Sequence, residues 1–397
     1  MSNSNRRTSC GKARPKKPGK DFPLYAHATG RWAKKVRGKV FYFTKWSEDP
    51  KGVAALEQWL GQKDDLLAGR EPRGAKNDGL ILADLCNEFL SHKESMRDNG
   101  ELNPRTFREY YDVCDCLVKT FGRNRLVVDL VPDDFRKLRA ALAKTRGPVT
   151  LRNVMQRCRS VFKFGFDQGL ILTPVRFGQS FAKPKMDAIR RAREAHRAEH
   201  GDRMFEAVEI RQILGAAKQP LKAMVLLAAN GGFGQSDLSA LPVRALKLDT
   251  GWLDFARVKT GIRRRVPLWP ETVAAIREWL PMRPKSKDPV DSGLLFLTCR
   301  GQRWVKTNAT GSPIDALGQE FQKVIRRLGL KRPRIGFYAL RHTFETIAGA
   351  TTDQIAVNAI MGHIDSSMSG LYRERIDDER LRRVTDHVRQ WLFNPDV

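Results

Sequence analysis

The sequence predicts a mainly α protein with a small β-sheet component, in the α+β class. The chain has 397 residues, of which 41% are hydrophobic and 9% aromatic, and this is enough apolar material for folded cores. At about 150 residues per domain, such a length predicts two or three domains. Apolar stripes with a period near 3.6 dominate from residue 80 onward, whereas β-forming runs are few and short.

The charge indicates a nucleic-acid partner. The chain carries 72 Lys and Arg against 44 Asp and Glu, a formal net charge of +28. The basic residues cluster within residues 1–45, 257–265 and 323–334, which suits contact with the phosphates of a duplex and an affinity that falls with salt. No apolar run reaches the roughly 18 residues of a membrane span. The polar N-terminus lacks a secretory signal, so we expect a cytoplasmic protein with no membrane partner.

The first 70 residues predict an accessory module. Residues 1–20 have the composition of a disordered basic tail. Within residues 21–70, two β-forming runs flank a turn at Arg37-Gly38, and a helix follows over Val53–Leu60. Lys34 and Lys35 on the first run are candidate DNA contacts. The alternative is an appendage that only packs against the rest of the chain.

Residues 78–178 predict a compact unit of four helices, with helix starts near Leu80, after Asn103-Pro104, after Val131-Pro132 and at Thr150. The unit has no candidate catalytic cluster, so we expect it to bind DNA, with Arg157 as one contact. Residues 179–203 are charged and lack a steady apolar stripe, which predicts a linker between domains.

Residues 204–397 predict the last domain. It alternates helices with a hairpin region that runs from Trp252 to Leu268 and carries Lys259 near its turn. Helices resume at Glu271 and continue to Trp391. The apolar stripe of the last helix is compatible with docking in cis or onto a neighbouring protomer, and both remain open here. Six cysteines without a Cys-x-x-Cys pair indicate no disulfide framework, and neither a metal nor a cofactor is expected.

Three blocks near the C-terminus indicate chemistry at a phosphodiester: Tyr338-Ala-Leu-Arg341-His342, Met361-Gly-His363 and Leu371-Tyr372-Arg373. A helix-start signal at Asp365, Ser366 and Ser367 lies between the last two blocks. A phenol is a poor nucleophile at neutral pH and needs nearby cations to favour the phenolate. The planar fork of an arginine meets two phosphate oxygens at once, and a lysine can protonate the leaving alkoxide.

These blocks, at this spacing, resemble the tyrosine recombinase (phage integrase) family over roughly residues 80–397. The resemblance implies a helical core-binding (SAM-like) domain followed by a tyrosine recombinase catalytic domain. It implies that Tyr372 attacks the scissile phosphate to form a 3′-phosphotyrosine, that Arg341 and His363 hold the phosphate, and that Lys259 protonates the leaving 5′-oxygen. Arg263, Arg264 and Arg265 beside this lysine are candidate DNA contacts.

The sequence departs from the family pattern at two positions. Gly234, three residues before Asp237, stands where the resemblance places the first catalytic arginine. The vacancy has three nearby candidates to fill it: Arg244, Arg257 and Arg263. Tyr338 stands where the family often has a histidine, and it can still donate a hydrogen bond to a phosphate oxygen.

The main hypothesis is a site-specific recombinase or integrase that acts on double-stranded DNA as a homotetramer, without a cofactor. Three alternatives remain. The chain could be a DNA-binding protein on the same fold that has lost cleavage, because of Gly234. It could be a topoisomerase-like nicking enzyme with the same phosphotyrosine chemistry. It could also be an RNA-binding protein, because basic charge alone does not select the nucleic acid.

Overall fold

The computed structural model describes residues 14–19, 21–68, 79–308, 312–364 and 367–394. The chain divides into two compact units, residues 1–80 and 81–397, and each is described by itself. Most of the basic tail predicted over residues 1–20 lies outside the described residues. None of the described helices combines the length and the apolarity needed to cross a lipid bilayer.

The first unit is an antiparallel three-stranded sheet with one helix packed on it. Its elements are β1 (Tyr25–Ala26), β2 (Arg31–Val36), β3 (Lys39–Lys45) and α1 (Val53–Ala68). Arg37 and Gly38 both have positive φ, which suits the tight turn between β2 and β3. The helix begins where the carboxylate of Asp49 accepts hydrogen bonds from the first-turn N–H groups. It ends eight residues later than the sequence indicated.

The two lysines predicted to contact DNA in this unit point to different faces of β2, because successive side chains on a strand alternate. Lys34 lies on the helix-facing side, with its Nζ 5.5 Å from the centroid of the Trp59 ring. Lys35 is exposed. The DNA contact remains a prediction for both, and Lys35 is the better placed.

The second unit opens with four helices, as the sequence predicts: α2 (Leu82–Asp98), α3 (Pro104–Phe121), α4 (Pro132–Ala143) and α5 (Pro148–Asp167). Phe135 is fully buried and its ring contacts those of Phe121, Phe162, Phe177 and Phe181. A further helix, α6 (Met186–His200), crosses the segment predicted as a linker and buries Ile189.

The rest of the second unit is a helical domain with two small sheets. Its helices are α7 (Ala207–Ala216), α8 (Leu221–Gly231), α9 (Gln235–Ser239), α10 (Pro270–Trp279), α11 (Ala316–Arg327), α12 (Ala339–Gly349), α13 (Gln354–Met361), α14 (Met368–Tyr372) and α15 (Asp378–Phe393). The central helix α8 is buried along its whole length except Lys222, and α10, α12 and α15 pack around it.

The predicted hairpin region forms the antiparallel sheet β4 (Leu246–Lys247), β5 (Trp252–Asp254) and β6 (Arg265–Pro267). A second antiparallel pair, β7 (Val305–Thr307) and β8 (Pro313–Asp315), was not predicted, since only helices were expected after Glu271. Three-residue strands are too short to show a period of two in the sequence.

The C-terminal helix docks in cis. Leu381, Val384, Val388 and Leu392 of α15 are buried in the core of their own domain. The indole of Trp269 donates a hydrogen bond to the backbone carbonyl of Thr385, and Arg389 forms an ion pair with Glu271. Of the two placements that the apolar stripe left open, the structure shows the first.

Candidate active site

Arg341 forms the centre of the candidate site. It lies in the first turn of α12 and is only 3% exposed. Its Nη1 donates to the carbonyl of Gly232 at 2.5 Å, and its Nη2 donates to the carbonyl of Met361 at 2.8 Å. The same Nη2 lies 2.9 Å from Nε2 of His363. These three acceptors fix the guanidinium, and five N–H donors are available to an arginine, so donors remain for an anionic ligand.

The contact with Arg341 determines the tautomer of His363. A guanidinium only donates, so Nε2 of His363 must accept and Nδ1 must carry the proton. Nδ1 then donates to Oδ1 of Asn358 at 3.3 Å, and Glu345 lies 3.8 Å away. Burial lowers the pKa of His363, and the positive charge of Arg341 lowers it further. The imidazole is therefore neutral at pH 7 and is held in one orientation.

Gly234 is the N-cap of the short helix α9, and Asp237 in the first turn of that helix is buried. The carboxylate of Asp237 accepts hydrogen bonds from the backbone N–H of Gly234 at 3.3 Å and of Val258 at 3.2 Å. A Cβ on Gly234 would lie 3.4 Å from the ring of Tyr338. The position that lacks the arginine therefore lies directly beside another predicted site residue.

Arg264 reaches into this region from the hairpin and is fully buried. Its Nη1 donates to Oδ2 of Asp237 at 3.2 Å, and its Nε donates to the carbonyl of Phe255. Its guanidinium carbon lies 4.4 Å from the centroid of the Phe233 ring. Burial lowers the pKa of Arg264 to about 10, although Asp237 acts in the opposite direction. The prediction that Arg264 contacts DNA at the surface is wrong, because its side chain has no exposed area.

Lys259 lies on the exposed turn between β5 and β6, and both of its neighbours are anchored in the site. The N–H of Val258 binds Asp237, and the hydroxyl of Thr260 donates to the carbonyl of Gly362 at 3.1 Å. Lys259 is exposed and makes no ion pair with any described residue. The turn thus holds a free ammonium group beside the predicted phosphate ligands.

Tyr372 ends helix α14, whose N-cap Ser367 accepts a hydrogen bond from the N–H of Gly370. The other two residues of the predicted helix start, Asp365 and Ser366, lie outside the described residues. Tyr372 is 79% exposed, and no described residue forms a hydrogen bond with its hydroxyl. The segment that carries it, with Gly370, lines a cavity of about 450 Å³ whose wall also includes His363 and Arg263.

Tyr338 precedes α12 and is 42% exposed. Its ring lies 5.4 Å from that of His342 in an edge-to-face arrangement, and its carbonyl accepts from the N–H of Arg341 at 3.2 Å. The structure therefore brings Tyr338, Arg341 and His363 together around Gly234. It places Lys259 at the rim and leaves the side chain of Tyr372 exposed, on a segment whose Gly370 and Arg373 line the adjoining cavity.

Comparison with known proteins identifies the family. Residues 203–379 match the model of the phage integrase family. The tyrosine recombinase XerC of Alcanivorax borkumensis is 25% identical over 316 residues, which cover 76% of this chain and 92% of that protein. The putative integrase/recombinase y4rF of Sinorhizobium fredii is 30% identical over 154 residues, which cover 38% of this chain and 34% of that protein.

Solved structures show the same fold. A lambda integrase tetramer bound to a Holliday junction has a TM-score of 0.55 at 14% identity, covering 91% of this chain and 98% of that one. The Tn1549 transposon integrase in complex with transposon right end DNA has a TM-score of 0.52 at 15% identity, covering 77% and 98%. Residues 203–379 form a phage integrase family domain, and the chain is a tyrosine recombinase. Its activity is site-specific DNA recombination by strand breakage and rejoining.

Two further arginines predicted to contact DNA are held by carboxylates in this recombinase. Arg265 donates to both oxygens of Asp378 and also contacts Asp254, and these bonds raise its pKa. It therefore joins the hairpin to α15. Arg157 on α5 is paired with Glu109 on α3. Arg263 is exposed and lines the cavity beside His363. Direct DNA contact remains a prediction for these three residues.

Sequence reasoning missed the residues that orient His363. Glu345 lies one helical turn after Arg341 on α12, a spacing that places both on one face. Asn358 lies five residues before His363 on α13. Both spacings can be read from the sequence once Arg341 and His363 are identified as site residues. They are not specific, however, because polar residues at such spacings are common on any helix. The buried role of Arg264 had no comparable signal, because a run of three arginines is typical of a solvated turn.

Proposed function

We propose that this recombinase cuts duplex DNA through Tyr372 and rejoins it from a covalent 3′-phosphotyrosine. The observation that carries the proposal is the buried guanidinium of Arg341, held against the neutral ring of His363 with no carboxylate within 4 Å among the described residues. A fixed, unneutralised cation is suited to stabilise the negative charge that develops on a phosphate when Tyr372 attacks it.

Each residue has a separate role in this proposal. Arg341 donates to the non-bridging oxygens of the scissile phosphate. His363 supports that guanidinium and faces the same phosphate. Tyr372 loses its phenolic proton to solvent and its oxygen attacks phosphorus. The bond to the 5′-oxygen breaks, and Lys259 gives its proton to the departing oxygen. Tyr338 donates a hydrogen bond to a phosphate oxygen beside Gly234.

Rejoining is the reverse step. The 5′-hydroxyl of a DNA strand attacks the phosphotyrosine and releases the phenol of Tyr372, so no nucleotide cofactor is consumed. Exchange between two duplexes needs four nucleophiles, and we therefore infer a homotetramer on double-stranded DNA, acting in the cytoplasm. Arg263 would contact phosphates around the cleavage point, and Lys35 in the first unit would make an accessory contact with DNA.

The test is covalent trapping. Duplexes tiled across the DNA that flanks the gene carry a nick near each candidate site, so that the cleaved fragment diffuses away. We expect SDS-stable protein–DNA adducts with the wild type and none with Tyr372→Phe. Tyr111→Phe is the matched control, since it removes the hydroxyl of another exposed tyrosine. Binding without adducts in any variant would favour a recombinase fold that only binds DNA.

A further inference from the structure

Because Gly234 stands where the family pattern has its first catalytic arginine, the site lacks one positive charge at this position. The candidate cations on and around the hairpin differ in whether a ligand can reach them and whether a carboxylate neutralises them. Arg264 is fully buried and bound to Asp237. Arg265 is bound to Asp378 and Asp254. Arg244 and Arg263 are exposed, and no described contact directs either of them at Arg341.

Arg257 differs from all of these. It is half-buried in the hairpin connection, and its backbone N–H and carbonyl are fixed by hydrogen bonds to Ile262 and Gly261, each at 2.8 Å. Its Nη1 donates to the carbonyl of Gly362 at 3.3 Å. No carboxylate of a described residue lies within 4 Å of it. Arg257 is thus a positioned guanidinium whose charge is not neutralised.

The carbonyl that holds Arg257 is adjacent to the carbonyl that holds Arg341. Arg341 binds Met361, the last residue of α13, and Arg257 binds Gly362, which follows it. The carbonyl end of a helix attracts cations, and two successive carbonyls place two guanidiniums side by side. Their charges interact: burial lowers the pKa of Arg341, and the charge of Arg257 lowers it further.

Gly362 makes this arrangement possible. Its φ is +65°, and a Cβ on it would lie 2.9 Å from Cβ of Arg257 and 2.9 Å from Cδ of Arg264. Both arginines therefore pack directly against the glycine backbone. Arg264 is fully buried and neutralises Asp237. Arg257 is half-buried and donates to the carbonyl of Gly362, the residue before His363.

We propose that Arg257 is a catalytic residue of this recombinase and serves as the second guanidinium on the scissile phosphate, in place of the arginine absent at Gly234. The assignment rests on the proposed function. In this arrangement Arg341 and Arg257 neutralise the non-bridging oxygens together, and Arg264 acts as a positioning residue through Asp237.

The test measures the rate of covalent adduct formation on a nicked duplex that the wild type cleaves. We expect Arg257→Ala to lower this rate by about 10²–10³, the usual effect of removing one donor to a developing oxyanion. Arg257→Lys keeps the positive charge but lacks the planar guanidinium that can contact two oxygens at once. Its rate should therefore lie between those of the wild type and Arg257→Ala. Arg277→Ala is the matched control, with the same loss of charge at an exposed arginine that is paired with Asp249, and should stay within threefold of the wild type. Thermal unfolding of each variant shows whether it is folded.

A second substrate separates phosphate contact from a structural role. Replacing one non-bridging oxygen of the mapped scissile phosphate by a methyl group removes the charge that a guanidinium would neutralise. On this methylphosphonate we expect Arg257→Ala to react within tenfold of the wild type. A full-size defect on both substrates, or a loss of less than threefold on the normal duplex, would overturn the assignment. If the wild type forms no adduct at all, the proposed function fails, and the assignment fails with it.

Discussion

Arg264 donates a hydrogen bond from Nη1 to Oδ2 of Asp237 across 3.2 Å, and the two side chains are 0% and 8% exposed. This pair joins the hairpin to the first turn of α9, next to Gly234. A buried carboxylate and a buried guanidinium each require the other, because an unpaired charge in the interior is costly. The pair therefore fixes the geometry of a region in which the glycine itself supplies no side chain.

Arg264→Met should lower the free energy of unfolding by about 3–5 kcal/mol, because it leaves the charge of Asp237 uncompensated in the interior. Denaturant unfolding of the whole chain provides the measurement. The double variant Arg264→Met/Asp237→Asn should lose less than the sum of the two single variants, since the two side chains interact directly. A loss below about 1 kcal/mol for Arg264→Met would contradict this account, as it would match a surface substitution.

Acidification should destabilise the recombinase partly through His363. Burial and the charge of Arg341 lower the pKa of His363 in the folded chain, so the unfolded chain binds the proton more readily. Stability is then fully present above pH about 6.5 and is lost as the pH falls through the lowered folded pKa. Between pH 8 and 5, His363→Gln should lose less unfolding free energy than the wild type. Equal losses in the wild type and His363→Gln would show that folding does not shift the pKa of His363.

Gly362→Ala should disturb two arginines at once. The left-handed backbone costs an L-residue about 1–2 kcal/mol, and the new Cβ meets Arg257 and Arg264 at 2.9 Å. We expect lower stability and a slower rate of adduct formation. Gly215→Ala is the control, since its Cβ on the exposed side of α7 meets nothing within 4 Å and alanine favours helix. Equal behaviour of the two variants would contradict the packing described.

The cis docking of α15 predicts how its core residues respond to truncation. Leu381 is 2% exposed, so Leu381→Ala should cost about 2–5 kcal/mol of unfolding free energy. Because the helix packs within its own domain, the denaturation midpoint should not change with protein concentration. A midpoint that rises with concentration would indicate that the helix is held by a second copy.

The sequence predicted some parts of this site and not others, for physical reasons. Arg341, His363 and Tyr372 lie in short blocks whose residue types and spacing are specific to one chemistry. The burial of Arg264 was not predictable, because it depends on contacts with Asp237 and Gly362, which are distant from it in the sequence. Likewise, the stripe on α15 has the same period whether the helix docks in cis or in trans, and only the three-dimensional contacts distinguish the two.

The residue that becomes linked to DNA can be identified directly. The trapped adduct is digested with nuclease and trypsin, and the modified peptide is sequenced by mass spectrometry. We expect a phosphodiester on Tyr372 in the tryptic peptide 342–373, which contains no other tyrosine. A modified Tyr338, in the separate peptide 335–341, or an adduct that persists in Tyr372→Phe, would contradict it.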